Sequence, residues 1–337
     1  MRENGAEGSP GNILEVSEAE SGSSLLEFLS GRVINESKTA LRRLAANGRA
    51  TVNGHASTPG RTVWRGDTVA LPPGMAPAPP PPQELPIELL HEDESHVCVN
   101  KQPGVPVLPG RSGEGGGFFR SLVAVLNRKA PPGGPYVRPH VVHRLDTETS
   151  GVLLVARDVE SSRRLGRQFQ ARTVSKTYLC IVEGRFPRGE ATVDVPLGRE
   201  GGSSTRMRPD ERRGKPAETR FTVRERFGHF TLLSATPLTG RQHQIRVHLA
   251  AAGYPLAADR LYGRRERLTG ADFARITGAA GPPEAALLDR APLHAASIAY
   301  RHPATGAEML QEAPLPADLA AFLDALRAGD PALRGRA

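Results

Sequence analysis

Eight prolines fall within the fifteen residues from Pro72 to Pro86, PPGMAPAPPPPQELP. Each proline fixes φ at about −65° and lacks an amide donor, so the stretch suits neither a helix interior nor a central strand. It is expected to run as an extended, semi-rigid polyproline spacer outside any packed domain. The chain is therefore read in two parts, and its 337 residues are enough for a small domain before the spacer and a large one after it.

Met1 to about Glu20 is polar, rich in Gly and Ser, and without sustained periodicity. A disordered tail is expected there. Residues 21–71 change character. Leu25, Leu26, Phe28 and Leu29 suit a short amphipathic helix, and Ser37 can cap a second one whose apolar stripe is Leu41, Leu44 and Ala45. Asn47-Gly48 ends that helix, Ala50-Thr51-Val52 is strand-like, Asn53-Gly54 is a hairpin turn, and Trp64 to Val69 gives a turn and another strand. Arg42 and Arg43 project away from the stripe, and Arg32, Lys38 and Arg49 extend the basic surface. A solvated helix face and a phosphate-binding one are both open on this pattern.

The net charge of +8 and a pI of about 10.0 favour a polyanionic partner, with nucleic acid foremost. With 38% hydrophobic residues and a mean hydropathy of −0.36, no apolar run approaches the roughly 20 residues a membrane helix needs. The first residues also lack the apolar core of a signal peptide. Cys98 and Cys180 lie in the strand-like runs HVCVN and YLCIV and read as buried hydrophobes, which fits a reducing cytoplasm. Two cysteines build neither a disulfide framework nor a zinc site.

The large domain is expected over residues 87–328, with a short tail at 329–337. Ile87–Leu90 and His96–Asn100 read as strands around an acidic turn, and Phe119 to Leu126 as a helix with Leu122, Val125 and Leu126 on one face. The glycines from Gly110 to Gly117 match no phosphate-binding fingerprint and no GK[ST] follows, so no nucleotide role is assigned. His143 to Gly151, HRLDTETSG, lies between two β-branched runs and reads as strand, exposed turn, strand, with Asp146 presented by the turn. Chemistry alone leaves Arg144 and Asp146 open as an ordinary solvated ion pair. Ser161 to Gln170 is helical, with Leu165 and Phe169 facing inward. In the strand from Val174 to Val182, Lys176, Tyr178 and Cys180 share one face. Arg185 to Pro216 reads as a long, basic, mobile hairpin or loop. Strands around Phe221–Val223 and Phe230–Leu233 lead to GRQHQIRVHL, from Gly240 to Leu249, where a helix opens. His243 and His248 are five residues apart without acidic neighbours, so no metal site is expected.

HRLDxxTSG resembles the catalytic motif of the RluA-type pseudouridine synthases, with every fixed position filled. NKQPGVPV, the KxY strand followed by Gly184, GRQHQIRVHL, GYPLAADRLYG and PLHAASIAYRHPATGAEM resemble further segments of that family, in order. Ala258 stands where glycine is usual, which touches a turn and leaves the chemistry alone. ESKTALRRLAANGRATVNG with the later GDTVAL resembles the S4 RNA-binding module, which would read RNA backbone and shape, since no stacking platform is visible in it.

The resemblance implies an α+β fold, a mixed and mainly antiparallel sheet flanked by helices, with a small α/β S4 module ahead of it. It implies a cofactor-free and metal-free conversion of uridine to pseudouridine in RNA, ribosomal RNA of the large subunit above transfer RNA, by a monomeric bacterial cytoplasmic enzyme. Asp146 would be the catalytic carboxylate, as nucleophile at C1′ or as base on the ribose. Arg246 would hold it ionised and aimed. Tyr178 would stack on the detached uracil and assist loss of the C5 proton. Arg144 would grip phosphate beside the flipped nucleotide, and His143, Lys176, Arg241, Arg42 and Arg43 would join it in binding RNA. Two rivals are a non-catalytic RNA-binding factor with a decayed catalytic domain, and a hydrolase pairing Asp146 with a histidine. The first is opposed by the joint presence of Asp146, Tyr178 and Arg246, and the second by the want of a base suitably spaced.

Overall fold

The computed structural model describes residues 12–34, 36–73, 75, 83–108, 117–130, 135–187, 189–201, 206–278 and 286–329. The chain divides into two compact units, 1–86 with 117–139, and 87–116 with 140–337.

In the first unit, β1 (Ile13–Glu15), β2 (Thr51–Val52), β3 (His55–Ala56) and β4 (Thr68–Ala70) form an antiparallel sheet in the order β1-β4-β2-β3. Helices α1 (Leu25–Arg32) and α2 (Lys38–Ala46) start where the sequence places caps. Ser24 accepts a hydrogen bond from the Glu27 amide in a capping box, and Ser37 accepts one from the Ala40 amide. Leu25, Phe28, Leu29, Leu41 and Ala45 then close over Val52 and Val69 in one core. Asn53 and Gly54 turn the β2–β3 hairpin with φ of 52° and 80°, as the expected Asn-Gly turn requires.

Several expectations need correction here. The tail does not extend to Glu20: Ile13–Glu15 pairs with Thr68–Ala70, Val16 is buried, and Glu20 forms an ion pair of 2.7 Å with Arg32. Local composition is uninformative in that segment because a strand from fifty residues further on supplies its partner. Arg32 is thereby held inside the unit instead of extending the basic face. Trp64 is 60% exposed, so an aromatic surface is in fact presented. The spacer also ends earlier than its proline content implies, since the amides of Glu84 and Leu85 both donate to Ser121 Oγ. Ser121 sits on α3 (Gly117–Leu126), which joins this unit and packs Val123 against Ile34 and Tyr136. Val123 is therefore buried, and Val125 is only half-buried. The glycine-rich loop up to Gly116 lies outside the described residues, as do residues 330–337 of the expected C-terminal tail.

The second unit is built on a ten-stranded sheet among the described residues. Its main path runs β10 (Glu190–Asp194), β13 (Glu218–Phe227), β14 (Phe230–Pro237), β9 (Ser175–Glu183), β17 (Leu293–Arg301), β8 (Ser150–Ala156), β6 (His96–Lys101), β5 (Glu88–Glu92). β18 (Glu308–Glu312) pairs with β17, and β7 (His140–Val141) with β8. Every pairing is antiparallel except β8 with β17, which run parallel at Ser150 and Gly151. A mixed, mainly antiparallel sheet is thus what forms. Its helices are α4 (Val159–Gln170), α5 (Gln244–Ala251), α6 (Gly270–Thr277) and α7 (Ala317–Gly329). Phe322 and Leu323 of α7 and Phe273 of α6 cover Ile181, Phe230 and Leu232, while Ile245 and Leu249 of α5 cover Cys180, Phe221 and Leu233. Each such side chain contributes about 1.5–3 kcal/mol of burial. Cys98 and Cys180 are both free and buried. Part of the loop between Arg185 and Pro216 is ordered as β10 and as a hairpin of β11 (Leu197–Arg199) with β12 (Met207–Pro209). A second small hairpin, β15 (Leu268–Thr269) with β16 (Ala286–Leu288), accompanies α6.

Candidate active site

A cleft of about 1050 Å³ opens in the second unit, and it gathers most of the residues singled out from sequence. His143, Arg144, Asp146, Lys176, Tyr178, Arg241 and Arg246 all line it. Arg42 and Arg43 do not, being exposed on α2 of the first unit. Five side chains in the lining are basic, Arg144, Arg172, Lys176, Arg241 and Arg246, against the acids Asp146 and Glu218. Such walls attract a polyanion.

Asp146 sits on the loop between β7 and β8, which is closed by the Thr149 amide donating to the Asp146 carbonyl. The loop is fixed at its exit by Gly151, whose φ is +108°. A Cβ there would lie 2.1 Å from the Ala295 carbonyl oxygen, so only glycine lets β8 approach β17. It is fixed from below by Lys101, fully buried, whose ammonium donates to the carbonyls of Gln102, Val105 and Thr147 at 2.8, 2.9 and 3.0 Å. Burial and the charge of Arg290 pull the Lys101 pKa down to about 7, while Asp146 favours the cation. His143 braces the same loop from the side. Its Nε2 accepts from the Leu154 amide at 2.9 Å, and its ring stacks on Phe169. Burial pushes this imidazole down to about 3, so it is neutral and committed to the backbone. His143, expected to join in binding RNA, is thus engaged through Nε2 in holding β8.

The carboxylate of Asp146 lies 3.5 Å from Arg246 Nη1 and 3.9 Å from His243 Nε2. Arg144 is exposed at the rim, and among the described residues the ion pairs of Asp146 are with Arg246 and His243 instead. Arg246, on α5, is not devoted to Asp146 as expected. Its Nε and Nη2 make a bidentate pair with Asp259 at 2.7 and 2.6 Å, which leaves Nη1 to face Asp146. Burial opposes both charges. The paired hydrogen bonds nonetheless hold the guanidinium pKa above its usual value, and with the Leu261 and Tyr262 amides they hold the Asp259 carboxyl below its own. Asp259 thus fixes the arginine, and the arginine presents one donor edge to the cleft.

Sequence reasoning missed Asp259, Tyr262, His243 and Lys101. Tyr262 accepts from the Met207 amide at 2.8 Å and shares a 2.7 Å hydrogen bond with His243 Nδ1, and its ring lies 5.2 Å from the Arg246 guanidinium. With the tyrosine donating to Nδ1, His243 carries its proton on Nε2, the nitrogen facing Asp146. His243 therefore has an acidic neighbour after all, one nearly a hundred residues away in sequence. The available signal was the pair Asp259 and Tyr262, three apart in GYPLAADRLYG, read only as a turn.

Tyr178 and Lys176 project from the same face of β9 into the cleft, as alternation requires. Burial, with the charge of Asp146, holds the Tyr178 phenol well above its ordinary pKa, so its hydroxyl stays protonated. Burial likewise lowers the Lys176 pKa. Arg241 donates from Nε to the Pro216 carbonyl at 3.0 Å, tying the helix entry to the preceding loop.

A flat aromatic face, a carboxylate held by an arginine and a positive rim compose a site for a nucleotide with its phosphates. Comparison with known proteins agrees. Residues 95–251 match the family model described as RNA pseudouridylate synthase. The chain is 37% identical to ribosomal large subunit pseudouridine synthase D of Nitrosomonas europaea, covering 82% of this chain and 76% of that protein. It is 34% identical to ribosomal large subunit pseudouridine synthase C of Escherichia coli K12, covering 94% and 96%. The fold is shared with human RNA pseudouridylate synthase domain containing 4, at a TM-score of 0.57 and 24% identity over 71% of this chain and 93% of that one. Spanning nearly the whole sequence and the cleft alike, these likenesses show that the chain belongs to the RluA-type family of RNA pseudouridine synthases.

Proposed function

We propose that this enzyme isomerises uridines of large-subunit ribosomal RNA, with Asp146 as the catalytic carboxylate. The observation that carries the assignment is Asp146 itself, a partly exposed carboxylate at the mouth of a cationic cleft, 3.5 Å from an arginine anchored by a second acid. The target base leaves the RNA stack and enters the cleft. Asp146 acts at the ribose, the N1–C1′ bond breaks, the uracil turns, and C5 bonds to C1′ with loss of the C5 proton. Tyr178 supplies the surface on which the free base is retained. Its hydroxyl, kept protonated, serves as a hydrogen-bond donor. Arg144 and Lys176 take RNA phosphate or the base edge, and Arg241 supports the rim. His243, with Nε2–H facing Asp146, orients the carboxylate beside Arg246. The residues 21–71, whose helix pair and hairpin order support an S4-like reading, add phosphate contacts through Arg42 and Arg43. The catalytic domain is the second unit, 87–116 with the chain from residue 140 onward. The ribosomal substrate is supported by the names of the relatives; a bacterial cytoplasmic setting and a monomeric enzyme complete the proposal. Mapping pseudouridines in total RNA with and without the gene tests the reading. Loss confined to large-subunit ribosomal RNA is expected, and an unchanged ribosomal map with loss elsewhere would reject that substrate.

A further inference from the structure

At the end of β6 away from the Asp146 loop, the β5–β6 turn and the β17–β18 turn bring together His91, Asp93, His96 and His302 in a cluster that the reaction does not use. β6 pairs antiparallel with β8 so that Lys101 lies opposite Gly151 and His96 opposite Ala156. Six strand residues therefore separate His96 from the Asp146 loop, about 20 Å.

The carboxylate of Asp93 is the centre of the cluster. Its Oδ2 accepts from His91 Nε2 at 2.8 Å and from His302 Nε2 at 2.9 Å, and its Oδ1 accepts the amides of Ser95 and His96. His302 is fixed in one tautomer, because its Nδ1 accepts the amides of Ala304 and Thr305 and its Nε2 must then carry the proton. His96 is different. It is fully buried, its Nε2 lies 2.5 Å from the Tyr300 hydroxyl, and that hydroxyl lies 3.4 Å from Cys98 Sγ. On the other side of the ring, His96 Nδ1 faces Asp93. That Nδ1 has no hydrogen-bond partner among the described residues, although it lies 3.2 Å from Asp93 Oδ1. A fully buried ring nitrogen left without a hydrogen bond and aimed at a carboxylate oxygen is a place for a cation.

We propose that His91, Asp93 and His96 form a binding site for a divalent transition-metal ion of the Zn2+ type, with the fourth position open to solvent. The three ligand atoms lie within 4.8 Å of one another; the 3.2 Å edge from His96 Nδ1 to Asp93 Oδ1 already has the roughly 3.3 Å length of a tetrahedral edge with bonds of about 2.0 Å, and the partly exposed His91 ring would swing in to close the wider one. Two imidazoles and a carboxylate are a donor set for zinc rather than for calcium or magnesium. The outer partners suit it as well. His96 would donate its other N–H to Tyr300, and His302 would hold the carboxylate, the arrangement that fixes ligand orientation in metal sites. Partial exposure of His91 and Asp93, 26% and 28%, gives the ion a way in. Bound there, it would fix the β5–β6 turn and leave the chemistry of the cleft unchanged.

The test uses the full chain without a polyhistidine tag, stripped with chelator and titrated calorimetrically with Zn2+, alongside Co2+ absorption and thermal melts. Saturable binding of one ion per chain, visible Co2+ bands of four-coordinate character, and a Tm that rises with Zn2+ are expected. His91→Gln and Asp93→Asn should each weaken binding by at least about tenfold. His229→Gln, at the β13–β14 turn, should leave it unchanged, and pseudouridine formation should be the same with and without chelator. Absence of saturable binding by the wild-type chain would overturn the site, as would equal affinity in the His91 and Asp93 variants.

Discussion

Asp146, Tyr178 and Arg246 come from three elements, and each is restrained by a different kind of contact. Asp146 is held by a loop, Tyr178 by strand alternation, and Arg246 by a second acid. The first two were legible in the sequence because their cause is local. HRLDTETSG is a contiguous loop, and the period of two along β9 fixes which face Tyr178 shares with Lys176. Asp259, His243 and Lys101 were not legible in the same way, since their partners are met only in three dimensions. A buried lysine that supports Thr147 from Lys101, forty-six residues away, leaves no periodic trace. The raised pKa of Tyr178 separates the tasks of its ring and its hydroxyl. Tyr178→Ala should lower turnover by about tenfold to a hundredfold or more, the worth of one base–aromatic stack. Tyr178→Phe should keep glycosidic cleavage and slow only the loss of the C5 proton, read as tritium release from C5-labelled RNA. Wild-type release from Tyr178→Ala would remove the residue from the site.

Among elements, β8 is the one on which the site depends, because it pairs with β6 along its length and with β17 and β7 at its two ends. Its β-branched run made it visible as a strand, whereas its parallel neighbour, nearly 150 residues later, was beyond any local pattern. Gly151 marks the junction. Gly151→Ala should destabilise the enzyme by about 3 kcal/mol or more in denaturant unfolding, since the backbone of β17 cannot move aside without breaking the sheet. Unfolding within about 0.5 kcal/mol of wild type would show that β8 and β17 separate more easily than their geometry implies. The first strand, Ile13–Glu15, was hidden for the opposite reason: three residues acquire strand character only from β4.

For the whole molecule, the compact units do not follow chain order, because α3 and the segment to Pro139 join the N-terminal unit. Removing residues up to Leu71 would strip Ile34 from Val123 and Tyr136 and confuse binding with folding. Substitution is the cleaner experiment. Arg42→Gln with Arg43→Gln should weaken RNA binding and flatten the dependence of log affinity on log salt by roughly 1.4–1.8, two phosphate contacts' worth. Turnover on saturating RNA should be unchanged. An identical slope would show that this face of α2 is merely solvated.

The central claim is that the Asp146 carboxylate performs the chemistry while the cationic walls do the binding. Asp146→Asn keeps the shape of the loop and removes one negative charge from a surface meant for phosphate. Nucleoside analysis of pseudouridine and filter binding of RNA, made on the same preparation, therefore separate the two functions. Product should be abolished, with RNA affinity equal to or tighter than wild type. Activity within about tenfold of wild type, a deficit of only about 1.4 kcal/mol in barrier, would contradict the account.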